Sequence, residues 1–220
     1  MRLYLTTADT AAWRDLMPTG LFEGITTNPL LAVRAGLEYT AINWADMAAR
    51  ARDLGARELH AQVYGPTESY VDWAGTLYNA GKNAGIETVV KIPLVEAAIR
   101  ATPAIRTLGG RVLMTACYDA KQMIVAKALD ADFIAPYFGR MMEADIDGEA
   151  HLASMLVMNQ TGAKRCEILV ASLRSAAQMV TLARQGHDHF TIAPAVANDL
   201  MTSAYSVDAL NSFEDAIAQQ

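Results

Sequence analysis

Eight short, mostly apolar runs recur along this chain of 220 residues at intervals of roughly 20 to 35 residues, and helix-forming sequence fills the gaps. The runs lie at 3–7, 24–28, 60–64, 88–93, 111–116, 133–138, 167–172 and 189–193. Several, such as TVVKIP, RVLMTA and EILVAS, are apolar almost throughout, as expected of strands buried on both faces of a parallel sheet. The intervening segments are rich in Ala, Leu, Met, Glu, Lys and Arg, all good helix formers. Helices are predicted over 41–54, 67–84, 119–130 and 174–185, two of them stopped by Gly85 and Gly186. Strands alternating with helices imply a parallel sheet with right-handed crossovers. Eight such units in one chain predict a closed (β/α)8 TIM barrel of one domain over 1–220, with an extra C-terminal helix over about 205–220. In that helix Leu210, Phe213 and Ile217 share a face that can pack on the barrel or on a neighbouring subunit. The rival, an open doubly wound sheet, usually brings a glycine-rich phosphate loop, and neither GxGxxG nor GxxxxGK[ST] is present.

In a barrel of this kind the functional groups sit at the C-terminal ends of the strands. Seven of the eight predicted strands place polar residues there: Thr6 and Thr7, Thr27 and Asn28, Gln62, Lys91, Thr115, Tyr137 with Arg140, and Ser172 with Arg174. The eighth, HFTIAP, is expected to end apolar.

Lys91 is the sharpest of these, flanked by Val89, Val90 and Ile92. Lysine is seldom buried without a partner, and a buried amine loses proton affinity because its charged form loses hydration. A neutral amine can attack a ketone and form an imine. The alternative is a lysine on the solvent side of an edge strand, which the apolar flanks disfavour. Asn28 precedes Pro29, which keeps it out of helical geometry and starts the next helix; its amide can also face substrate hydroxyls. Arg140, Ser172 and Arg174 follow neighbouring strands and together suit a phosphate, although each alone reads as a surface residue. Gln62, Thr115 and Tyr137 either satisfy core hydrogen bonds or hold a water beside Lys91.

Charge and thiol content narrow the function further. A net charge of −6 argues against nucleic acid as a partner. No apolar run approaches the roughly 18 to 20 residues needed to cross a bilayer, and residues 1–7 are too short for a signal core. With Cys117 and Cys166 far apart, a cytoplasmic location is expected. His187 and His189 have a spacing that can chelate a metal on a strand, but beside Gly186 and Asp188 they read as a solvated loop.

The order LYLTT, GITTNP, HAQV, VVKIP, TAC-Y, APYFGRM and ASLRS resembles the transaldolase family, and within it the small class I aldolases that act on fructose 6-phosphate. The likeness runs from about residue 2 to about residue 215. It implies a barrel that uses neither metal nor cofactor, with Lys91 as the Schiff-base nucleophile. Thr26 and Asn28 then contact the dihydroxyacetone part of a sugar phosphate, and Arg140, Ser172 and Arg174 hold its phosphate. Gln62, Thr115 and Tyr137 hold a water for acid–base work, and the chain assembles as a homopentamer or homodecamer through its last helix.

Transaldolases of the family carry Glu and Phe at the places of Gln62 and Tyr137, so this pair favours an aldolase. One position departs from the pattern. The family's first strand ends in an aspartate where this chain has Thr6, with Asp9 three residues further on. Loss of a positioned acid–base group typically costs on the order of 10² to 10⁴ in rate. The expected activity is reversible cleavage of fructose 6-phosphate to dihydroxyacetone and glyceraldehyde 3-phosphate. The alternatives are transfer of the three-carbon unit between sugar phosphates, and a barrel that binds a sugar phosphate without catalysis.

Overall fold

The computed structural model describes residues 1–162 and 164–219. Eight parallel strands close on themselves in chain order: β1 (Arg2–Thr6), β2 (Phe22–Thr26), β3 (Glu58–Gln62), β4 (Glu87–Pro93), β5 (Arg111–Cys117), β6 (Phe133–Pro136), β7 (Glu167–Val170) and β8 (His189–Ile192). Pairing of β1 with β8 completes the barrel. Each predicted strand is found. The second and third begin two residues earlier than expected, and at the start of the third Glu58 points into the barrel and pairs with Arg111.

The helices are α1 (Thr10–Leu16), α2 (Pro29–Arg34), α3 (Trp44–Asp53), α4 (Tyr70–Ala84), α5 (Glu96–Arg106) and α6 (Lys121–Ala128). After them come α7 (Phe138–Glu143), α8 (Gly148–Asn159), α9 (Ala176–Arg184), α10 (Pro194–Met201) and α11 (Ala204–Ala218). None of them is long and apolar enough to cross a membrane. The predicted start of α4 at residue 67 is instead a 3-10 turn over Thr67–Ser69.

Alternation along the strands splits the apolar residues into two bodies. Outward residues such as Val90, Ile92, Val112 and Met114 are fully buried under the helices. Inward residues, among them Tyr4, Val89, Leu113, Phe133 and Leu169, fill the barrel. Gly24 lets β2 lie close to β3, since a Cβ there would run into the Glu58 carbonyl oxygen.

One local expectation changes and another narrows. His187 and His189 are buried rather than solvated: His189 opens β8 with its Nδ1 2.7 Å from Asp188, and burial pulls the His187 pKa down to about 4. Helix α11 buries none of its side chains on the barrel, leaving Tyr205 87% and Phe213 66% exposed.

Candidate active site

A cavity of about 270 Å³ opens at the C-terminal ends of the strands, with Lys91 among its lining. Lys91 stands in register between Gln62 on β3 and Leu113 on β5, and its residue is only 5% exposed. Its Nζ donates to the Thr27 carbonyl at 2.9 Å. Among the described residues no carboxylate pairs with it, so burial acts unopposed and lowers its pKa to about 8.

Next to it, β1, β2 and β8 contribute a row of hydroxyls. Thr26 Oγ1 lies 2.9 Å from that of Thr6 and 2.8 Å from that of Thr191. Thr191 lines the cavity, so the eighth strand does bring a polar group to the mouth, contrary to expectation. It was missed because the apolar residues around it dominate the run. Asp9 caps α1 by accepting from the Ala11 N–H at 2.8 Å and does not line the cavity, so it supplies no carboxylate in place of Thr6.

Asn28 serves two purposes. Its Oδ1 accepts from the Leu31 N–H at 2.9 Å, capping α2, and its residue lines the cavity, which leaves the amide N–H₂ to donate inward. Across from it, Thr115 and Tyr137 hold their hydroxyl oxygens 3.1 Å apart. Burial raises the Tyr137 pKa, keeping it a phenol that can donate or relay a proton.

The third expected partner of that pair, Gln62, is in register with Lys91 but is not part of the cavity lining. Its backbone instead exchanges hydrogen bonds with the Tyr39 hydroxyl, at 2.9 and 2.7 Å.

Arg140, Ser172 and Arg174 do converge on one side of the mouth. The short passage from β6 into α7 sets Arg140 over the Tyr137 ring, 5.3 Å from its centroid. Ser172 has φ +64°, a left-handed conformation uncommon outside glycine, which turns the chain after β7. Gly139 permits that turn to pack on α7, since any Cβ there would run into the Ser172 carbonyl. Arg174 is held by Glu143 through two hydrogen bonds of 2.7 and 3.1 Å. A further arginine, Arg34 of α2, lines the same cavity and was not foreseen. Four basic side chains therefore face a cavity that no Asp or Glu lines, in a chain of net charge −6.

Below this mouth lies a polar floor. Glu58 accepts from Tyr4 at 3.1 Å, from His60 at 2.7 Å and from Arg111 at 2.7 Å, and Arg111 stacks on Phe133. Burial alone raises the Glu58 pKa, but His60 and Arg111 outweigh it and bring it to about 2. Burial keeps His60 neutral, so it donates its Nε2–H to Glu58.

Comparison with known proteins adds a family. A family model described as transaldolase/fructose-6-phosphate aldolase matches residues 3–220. Proteins named probable transaldolase from Paracoccus denitrificans and Hyphomonas neptunium are each 30% identical, covering 92% and 97% of this chain and 91% and 95% of theirs. One from Jannaschia sp. is 31% identical over 92% of this chain and 91% of its own. Among solved structures, a mandelate oxidase superposes with a TM-score of 0.62 at 15% identity, over 89% of this chain and 65% of its own length, a likeness of fold alone.

Proposed function

The chain belongs to the transaldolase/fructose-6-phosphate aldolase family, and from that premise we propose that it is a Schiff-base aldolase acting on fructose 6-phosphate. The observation that carries this reading is the Lys91 amine: buried, unpaired with any carboxylate, and facing the cavity at the strand ends. With a pKa near 8, about a tenth of it is free base at pH 7, against fewer than about one in a thousand for an ordinary lysine.

Lys91 Nζ adds to the C2 ketone, and the carbinolamine takes up a proton and expels water to give an iminium. The C3–C4 bond then breaks. Its electron pair flows into the iminium to form an enamine, while the C4 hydroxyl gives up its proton and becomes the aldehyde of glyceraldehyde 3-phosphate. Tyr137 and Thr115 hold the water that takes this proton and returns it to C3, and hydrolysis of the restored iminium frees dihydroxyacetone and Lys91. Thr6, Thr26 and Asn28 bind the hydroxyls of the three-carbon part, and Arg140, Ser172 and Arg174 bind the phosphate. Gln62 of β3, in register with Lys91, helps to hold the water that Tyr137 and Thr115 bind.

A second reading, transfer of the three-carbon unit to another aldose phosphate, is favoured by the relatives named probable transaldolase. Release of free dihydroxyacetone from fructose 6-phosphate without an acceptor separates the two. The exposed apolar side chains of α11 further support assembly with other copies of this chain, which a light-scattering mass of one chain overturns.

The decisive test is borohydride trapping. Protein incubated with fructose 6-phosphate or dihydroxyacetone and then reduced carries a covalent adduct at Lys91, located by mass spectrometry. No adduct in folded protein defeats the nucleophile assignment and leaves a barrel that only binds sugar phosphates.

A further inference from the structure

Lys91 owes its anchor to a break in the sheet beside it. On the far side of β3 from Lys91, the Thr27 N–H donates to the His60 carbonyl at 2.8 Å, which carries the β2–β3 ladder one residue past the end of β2. In a parallel ladder the following bond would run from the Gln62 N–H to the Thr27 carbonyl. Instead the Gln62 N–H donates at 2.9 Å to the Tyr39 hydroxyl, which donates in turn to the Gln62 carbonyl at 2.7 Å. The ladder had no donor for that carbonyl, because its next residue on the β2 side is Pro29, which lacks an N–H. Released from β3, the Thr27 carbonyl accepts from Lys91 Nζ at 2.9 Å, the one hydrogen bond the amine makes among the described residues.

Tyr39 is held firmly in this place. It lies in a 3-10 turn, Tyr39–Ala41, after α2, and is buried. Trp44 of α3 and Tyr64, just past β3, meet its ring edge to face, with centroids 5.4 and 5.3 Å away. Trp73 of α4 stacks on it at 6.5 Å. This aromatic wall fixes the hydroxyl against the end of β3.

We propose that Tyr39 is a positioning residue for Lys91: by taking the Gln62 N–H, it frees the Thr27 carbonyl to hold the amine. A neutral amine has two N–H bonds and one lone pair. Fixing one N–H against the barrel wall restricts where the lone pair points, and attack on a ketone needs it aimed into the cavity. Without the Tyr39 hydroxyl, the Gln62 N–H closes the ladder onto Thr27 and the amine loses its anchor. Tyr39 itself does not line the cavity, so it acts only through the backbone.

The inference rests on the imine reading, and one experiment separates the fates of the two. The rate of borohydride-trapped adduct formation is measured against dihydroxyacetone concentration at pH 9.5 in wild type and Tyr39→Phe. With a pKa near 8 the amine is already free base at that pH, so a change in its proton affinity does not enter. The expected result is a limiting rate about tenfold lower in Tyr39→Phe, with the half-saturating concentration unchanged. A second variant replaces Tyr39 with 4-aminophenylalanine, which fills the same wall and keeps a donor for the Gln62 carbonyl but accepts poorly from its N–H. It should lose rate in the same way, and it decides the matter if Tyr39→Phe does not fold. An unchanged limiting rate in either folded variant overturns the role of Tyr39 while the imine reading stands. So does a rate restored at high ketone concentration, because the change is then in binding. No adduct in wild type removes the imine reading and this inference together.

Discussion

The interior of this barrel holds two polar layers built from similar residues and put to opposite uses. On the floor, Glu58 is engaged on both oxygens by Tyr4, His60 and Arg111, so a buried charge is fully matched. At the mouth, one strand step higher, Lys91 has only a backbone carbonyl for company, and three arginines face a cavity without an acid. The floor therefore spends its polarity on holding β1, β3 and β5 together. The mouth leaves its donors open, at the cost of destabilising an amine that is charged in water. A buried group that is satisfied belongs to the scaffold, and one left unsatisfied toward a cavity is available for chemistry.

The sharpest way to break the comparison is to remove the open charge. Lys91→Met abolishes trapping and turnover and, at pH 7, should raise the unfolding free energy by roughly 1–3 kcal/mol. The sign follows from the amine: its pKa is about 8 folded and about 10.5 unfolded, so the unfolded chain binds more protons between those values. Wild type thus gains stability as pH rises from 8 to 10.5, and the variant lacks that slope. Denaturant unfolding at pH 7 and pH 9.5 checks both points; a variant less stable than wild type at pH 7 contradicts the assignment of strain to Lys91.

Removing the matched charge has the opposite sign. Glu58→Ala leaves Arg111, His60 and Tyr4 without their common acceptor and should cost about 2–4 kcal/mol, somewhat less than a fully buried pair because Arg111 is partly exposed. Protein that remains folded at low temperature should still form the Lys91 adduct. Lost trapping with unchanged stability would show that the floor belongs to the active site.

The smallest effect sharpens the mouth itself. Tyr137→Phe removes the hydroxyl that meets Thr115 and should lower kcat about 10²-fold while leaving the adduct at Lys91 intact. In both proteins the rate of imine formation should climb about tenfold per pH unit up to about pH 8 and level above it, since only the free amine reacts. A plateau beginning near pH 10 instead would place Lys91 in water.

The sequence alone determined the barrel, because eight apolar runs of strand length alternating with helical segments have few other ways to bury both faces of a sheet. It also marked Lys91, since a lysine between valines and isoleucine is legible without coordinates. Lys91, Thr115, Tyr137, Thr26, Asn28, Arg140, Ser172 and Arg174 do share one cavity. What the tertiary structure decided is which polar residues are matched. Glu58 finds its partner only because β5 brings Arg111 against it, and His187 and His189, expected in a solvated loop, are buried. Thr191 and Arg34 join the site only because the closing strand meets the first and α2 leans over the mouth. Gln62 stands in register with Lys91, and its backbone is tied to the Tyr39 hydroxyl brought by the loop after α2. Pattern along a chain fixes which face a residue presents. The partner it meets there comes from a strand tens of residues away, and only closure of the barrel sets that distance.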